Sequence, residues 1–182
     1  GSRRRDTAAD MSAEMMHSLL SAAREVFDVT ILDVSAYPDN AATVCGVHGA
    51  DLRWLVAASG NPSYLWSWGE WYECYWRLCG LRPEDVGLVL NRTNDAVSSP
   101  EKAASALRMK LAGALPAVPA ALALRAVEDG VPLIDLPQAG EFAAAVYRLA
   151  GRLAETAGCA PWPEPRPMRR RGGLISLLSG LF

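Results

Sequence analysis

Val26-Phe27-Asp28-Val29-Thr30-Ile31-Leu32-Asp33-Val34-Ser35 (VFDVTILDVS, 26–35) is a mostly apolar run that stops at a carboxylate and meets a polar loop, Ala36-Tyr37-Pro38-Asp39-Asn40. Its length and β-branched content predict a buried strand over 28–34. Asp33 at its tip has two readings. It caps the strand and nothing more, or it stands at the carboxyl edge of a parallel sheet, where ligands and metals bind. The surrounding chain repeats the pattern. Leu52–Ala58 (LRWLVAA) predicts a second strand that ends at Ser59-Gly60-Asn61-Pro62. Val86–Leu90 predicts a third, ending on Asn91-Arg92, and a short strand is expected near 114–118.

Helical patterns separate these runs. Met15, Met16, Leu19, Leu20, Ala23 and Val26 recur at helical spacing behind Ser12, a candidate N-cap. Residues 35–50, with Pro38, Asp39, Asn40, Gly46 and Gly49, read as a loop. Further helices are expected over 63–79, from Ser99-Pro100 to about 112, over 120–128 ending at Asp129-Gly130, and over 138–157. Apolar strands alternating with helices predict an α/β fold: a mostly parallel sheet flanked by helices, with right-handed crossovers and an extended C-terminal tail. Asp33, Ser59 and Asn91 would then share one sheet edge. The expected organisation is a tag or disordered arm over 1–10, an α/β domain over 11–158, a Pro/Arg-rich linker over 159–173 and a short amphipathic helix over 174–182.

Bulk properties narrow the function classes. The chain has 182 residues, 51% of them hydrophobic and 21% charged, which fits one globular domain with a real core. A formal net charge of −2 gives no general electrostatic case for nucleic acid. Cys45, Cys74, Cys79 and Cys159 form no CxxC pair, and His17 and His48 are the only histidines, so a structural zinc site is not expected. Scattered cysteines of this kind read as reduced and cytoplasmic. No stretch reads as a signal peptide, and no apolar run is long enough to span a bilayer.

The order of these motifs resembles the MinD/ParA-type P-loop ATPase family. FDVTILDVS looks like the strand that carries the family's second nucleotide-binding carboxylate, and Ala50-Asp51 precedes the next strand as in that family. Val89-Leu90-Asn91-Arg92 matches its "vlNr" strand end, Val118-Pro119 a later "vP", and Gly130–Pro137 the segment before its final helix. The resemblance covers about 15–157 and is nearest the CpaE/TadZ and septum-site-like branch. It implies a partial or degenerate P-loop NTPase fold. In a complete member, which binds ATP and Mg²⁺ and dimerises on ATP, Asp33 would hold the metal through water. Asn91 would read the adenine edge, with Arg92 and Pro119 beside the base.

This chain departs from the family where the chemistry resides. A phosphate-binding loop needs glycines for close backbone approach, a Lys on the phosphates and a Ser/Thr on Mg²⁺. The only lysines are Lys102 and Lys110, neither follows a glycine, and no G-x-x-x-x-G-K-[ST] occurs. No catalytic residue, and no cofactor bound by this chain alone, is therefore expected. Each site residue also has a plain alternative: a loop-capping carboxylate at Asp33, a turn former at Asn91 and a loop proline at Pro119.

Two further segments bear on partners. In YLWSWGEWYECYWRLC (64–79), Tyr64, Trp68, Trp71, Tyr75 and Cys79 form one helical stripe that reads as core, leaving Trp66 and Tyr72 elsewhere as a candidate partner interface. Rings without an accompanying basic groove argue against specific nucleic-acid binding. The tail places Arg169, Arg170 and Arg171 before Leu174-Ile175-Ser176-Leu177-Leu178-Ser179-Gly180-Leu181-Phe182. Leu174, Leu177, Leu178 and Leu181 fall on one helical face with Ile175 and Phe182 beside them, a recipe for binding an anionic membrane surface. The alternative is a tail that docks on its own domain or on a partner.

Three functions follow as expectations. The first is a MinD/ParA-like protein, or part of one, in spatial organisation at the inner face of the bacterial membrane: septum placement, or pilus or secretion-system assembly. It would be cytoplasmic or peripheral, and either homodimeric or bound to a protein partner. The second is a non-catalytic scaffold that works through the aromatic helix and the tail. The third is another P-loop relative, such as an amidoligase or synthetase.

Overall fold

The computed structural model describes residues 11–59, 69, 72–94 and 99–160. The arm over 1–10, the rings of Tyr64, Trp66, Trp68 and Trp71, and the whole tail from 161 lie outside the described residues.

Among the described residues three strands form a parallel sheet in the order β1 (Trp54–Ala58), β2 (Gly87–Thr93), β3 (Lys110–Pro116). The coarse expectation of an α/β fold holds: helices flank a small parallel sheet. β2 is central, and Leu88, Val89 and Leu90 are at most 1% exposed. A parallel strand covered on both faces needs such an uninterrupted apolar run. On one face Leu88 and Leu90 meet Leu55 and Ala57 of β1 and the core formed by Tyr72, Trp76, Leu81, Ala103, Ala104 and Leu107. The opposite face is close-packed at its glycines. A Cβ on Gly87 would lie 3.0 Å from both Trp54 Cδ1 and Ala112 Cβ, and one on Gly113 would collide with Leu149.

The helices follow from local chemistry. In α1 (Ala13–Val26), Ser12 accepts from the Met15 amide, as a Ser N-cap should, and Met16 and Leu20 are buried. α3 (Pro100–Ala106) opens with Ser99 as N-cap and proline in its first turn. α4 (Ala120–Glu128) closes on Asp129, and Gly130 follows at φ +61. α5 (Gly140–Thr156) packs along β3, with Arg152 donating to the Ala112 carbonyl at 2.6 Å. Its start seals a second small cluster of Ala126, Leu136, Ala139 and Phe142.

Four expectations are corrected. First, residues 28–34 form no ladder among the described residues: the segment runs outside the sheet with Leu32 and Val34 turned inward and Asp33 exposed. Its apolar alternation is satisfied by packing on a helix, not by strand pairing. Second, that helix is α2 (Ala41–Gly49), within the stretch expected to be a loop. Asn40 caps it by accepting from the Thr43 amide at 2.8 Å. Gly46 and Gly49 serve close approach here. A Cβ on Gly46 would sit 3.2 Å from Val34 and 3.4 Å from Met16, and one on Gly49 2.7 Å from Leu20. Third, the helix expected to reach 112 ends at Ala106. Arg108 turns left-handed at φ +56, and 110–116 is recruited as β3 because β2 offers it a ladder. Fourth, 72–76 is a single π-helical turn with Tyr72 and Trp76 buried and Tyr75 50% exposed. Tyr72 and Trp76, four apart, face the core and Tyr75 faces out, the reverse of the expected stripe.

Leu88→Ala should lower stability by about 2–5 kcal/mol, since the side chain is fully enclosed, whereas exposed Leu124→Ala should stay within roughly 0.5 kcal/mol. Urea midpoints at unchanged slope measure both. Arg82 pairs with Asp85 at 2.7 Å in the turn before β2. The Asp85 carboxyl is lowered from its ordinary value, chiefly by that hydrogen bond. Its small contribution to stability should therefore be complete above the ordinary aspartate range, near pH 4, and fade as pH falls through the lowered value. Comparing acid unfolding of the parent and Asp85→Asn checks this.

Candidate functional site

Ser59 and Asn91 lie side by side at the carboxyl end of the sheet. Ala58 is the register partner of Asn91, and the Ser59 amide donates to the Asn91 carbonyl at 2.8 Å. Ser59 is 2% exposed, and its hydroxyl donates to the Arg92 carbonyl at 2.6 Å. The Asn91 side chain accepts from the Arg92 amide at 2.9 Å. Thr93 Oγ1 donates to the Leu115 carbonyl at 3.1 Å, and the Ala117 amide reaches back to the Thr93 carbonyl at 2.9 Å.

These bonds organise an irregular strand end. The register between β2 and β3 shifts between Leu90 and Thr93, and Arg92 adopts φ +60, a left-handed conformation that costs an L-residue about 1–2 kcal/mol. Such bulges re-aim side chains and concentrate near functional sites. The sequence signal for it was weak, an Asn-Arg pair at a strand end. The buried hydroxyl of Ser59 as clamp across two strands was not anticipated.

Asp33 does not join this cluster as a strand tip. It is exposed on the unpaired 28–35 segment, and it borders a cleft of about 1040 Å³ between that segment and β1. The cleft is walled mainly by apolar side chains, among them Phe27, Ile31, Trp54, Val56 and Leu153. Pro119 is exposed at the N-terminus of α4, where it makes no side-chain cap. Arg92 is exposed, and Tyr72, expected to lie off the core stripe, is buried within the fold. Trp66, Arg169, Arg170, Arg171, Leu174, Ile175, Leu177, Leu178, Leu181 and Phe182 lie outside the described residues. Among the described residues no three His, Cys, Asp or Glu side chains come together as a metal-holding group. No described helix is long and apolar enough to cross a membrane.

No family model, no curated protein and no solved structure matches the chain.

Ser59→Ala removes a buried donor and leaves the Arg92 carbonyl short of a partner. It should cost roughly 1–3 kcal/mol. Thermal unfolding of the variant checks this, and an unchanged midpoint would remove Ser59 as the clamp of the strand end.

Proposed function

We propose that the chain is a MinD/ParA-like protein, or a part of one, acting in spatial organisation at the bacterial membrane and not hydrolysing ATP by itself. The observation that carries this reading is the parallel sheet with Ser59 and Asn91 adjacent at its carboxyl end, which is where open α/β sheets place their ligands. The P-loop NTPase assignment is part of the proposal. Under it, Asn91 faces an adenine edge, Arg92 and Pro119 flank the base, and Asp33 serves Mg²⁺ in a complete assembly.

Phosphoryl transfer depends on positioning and on charge neutralisation around the phosphates. Neither Lys102 nor Lys110 sits in a glycine-rich loop, so this chain supplies no such cradle. Its role is then carried by surfaces: a homodimer or partner contact, and Arg169–Arg171 with the apolar 174–182 run at the inner face of the membrane. Each arginine near an anionic surface contributes about 1 kcal/mol.

A second reading, a non-catalytic scaffold, is favoured by one specific observation. The Ser59 hydroxyl and the Asn91 amide oxygen are both engaged with the chain's own backbone.

Two measurements test the proposal. Titrating ATP with Mg²⁺ into this chain should give no saturable heat; saturable binding would overturn the claim that the chain lacks a working phosphate site. In flotation with phosphatidylserine vesicles the full chain should rise and a 1–173 truncation should stay below. Equal partitioning of the two forms removes the membrane role.

A further inference from the structure

The cleft beside β1 is apolar and borders a strand edge. Among the described residues β1 pairs with β2 alone, which leaves the backbone donors and acceptors of its other edge without a ladder partner there. Across the cleft runs 28–35, in no ladder among the described residues. Val56 in the middle of β1 is 61% exposed, an unusual position for an apolar residue in a parallel sheet. One strand laid between the two would pair with β1 and cover Val56.

The described chain ends close by. Leu153, Thr156 and Ala157, in and just after the last turn of α5, wall the same cleft, and the description stops at Ala160. Residues 161–173, rich in proline, span roughly 40 Å when extended at about 3.1 Å per residue. That is ample for a return to the cleft. Beyond them, 174–182 is uncharged and reads apolar on both faces when extended: Leu174, Leu178 and Phe182 on one, Ile175, Leu177 and Leu181 on the other. Short apolar runs of this kind suit a strand buried on both sides as well as a helix.

Charge favours the same occupant. Asp28 and Asp33 border the cleft, and among the described residues neither has an ion-pair partner. Asp51, also in the wall, is engaged by Arg24 at 3.0 Å. Arg169–Arg171 immediately precede the apolar run.

We propose that residues 174–182 lie as an extended strand in this cleft, between β1 and 28–35, with Arg169–Arg171 at one end of it, against Asp28 or Asp33. The docked tail covers the open sheet edge by strand addition within one chain. The inference is independent of the membrane reading, since it concerns only the protein in the absence of lipid.

Hydrogen exchange on the full chain, a 1–168 truncation, and that truncation with a synthetic 169–182 peptide tests it. In the truncation the amides of Trp54–Ala58 and 28–35 should exchange at least tenfold faster, and the peptide should restore protection. Val56→Arg in the full chain blocks the slot while leaving the tail intact. It should reproduce the faster exchange and speed tryptic cleavage at Arg169–Arg171 severalfold. Equal exchange in full and truncated chains overturns the proposal. So does a peptide that binds phosphatidylserine vesicles yet leaves both segments unprotected, or tail cleavage that is unchanged by Val56→Arg.

Discussion

Parallel pairing of β2 with a strand on each side is the constraint on which the rest of this fold hangs. Leu88, Val89 and Leu90 are enclosed because β1 and β3 take up their backbone groups while helices and the π-helical turn cover the faces. In an apolar interior an unpaired amide or carbonyl is costly, so a run this apolar is tolerable only where both edges are bonded. That requirement pulls 110–116 out of the preceding helical pattern. It also draws α5 onto the sheet, where Gly87 and Gly113 leave room for Trp54 and Leu149.

The opposite flank obeys the same rule incompletely. β1 satisfies one edge, and the 26–35 run, strand-like in composition, stands away from the other. What anchors that run is side-chain packing. Leu32 and Val34 lie against α2, and the Ala36 carbonyl accepts from the Trp76 indole at 3.3 Å. Arg24 ties α1 to the approach of β1 through the Gly49 carbonyl and Asp51. The flank is thus held at its ends and open along its length, the geometry that creates the cleft.

At the carboxyl end of the sheet, polar side chains serve the backbone first. Ser59 clamps the bulge and Asn91 supports the left-handed Arg92. A strand end stiffened in this way is a fixed edge, which suits a ligand edge and a protein-contact edge equally well. Physical chemistry separates the two uses at the phosphates: a nucleotide site needs a cation-bearing cradle, whereas a contact surface does not.

Much of the fold was legible in the residues. Ser12, Ser99-Pro100 and Asp129-Gly130 marked helix ends because caps are local chemistry, settled within one turn. The runs at 54–58 and 87–90 were legible as parallel strands because burial on both faces leaves an unbroken apolar signature. Their adjacency brought Ser59 and Asn91 together as expected. Four things were decided only by tertiary contact. Gly46 and Gly49 belong to a helix because α1 packs closely on it; 28–35 joins no ladder among the described residues and packs Leu32 and Val34 on α2 instead. Residues 110–116 are a strand because β2 is adjacent, and Tyr72 points inward because the core cluster of Trp76, Leu81, Leu88 and Leu90 receives it. In each case the sequence determined what a segment can bury, while the neighbour available in space decided which of its backbone and side-chain groups are paired.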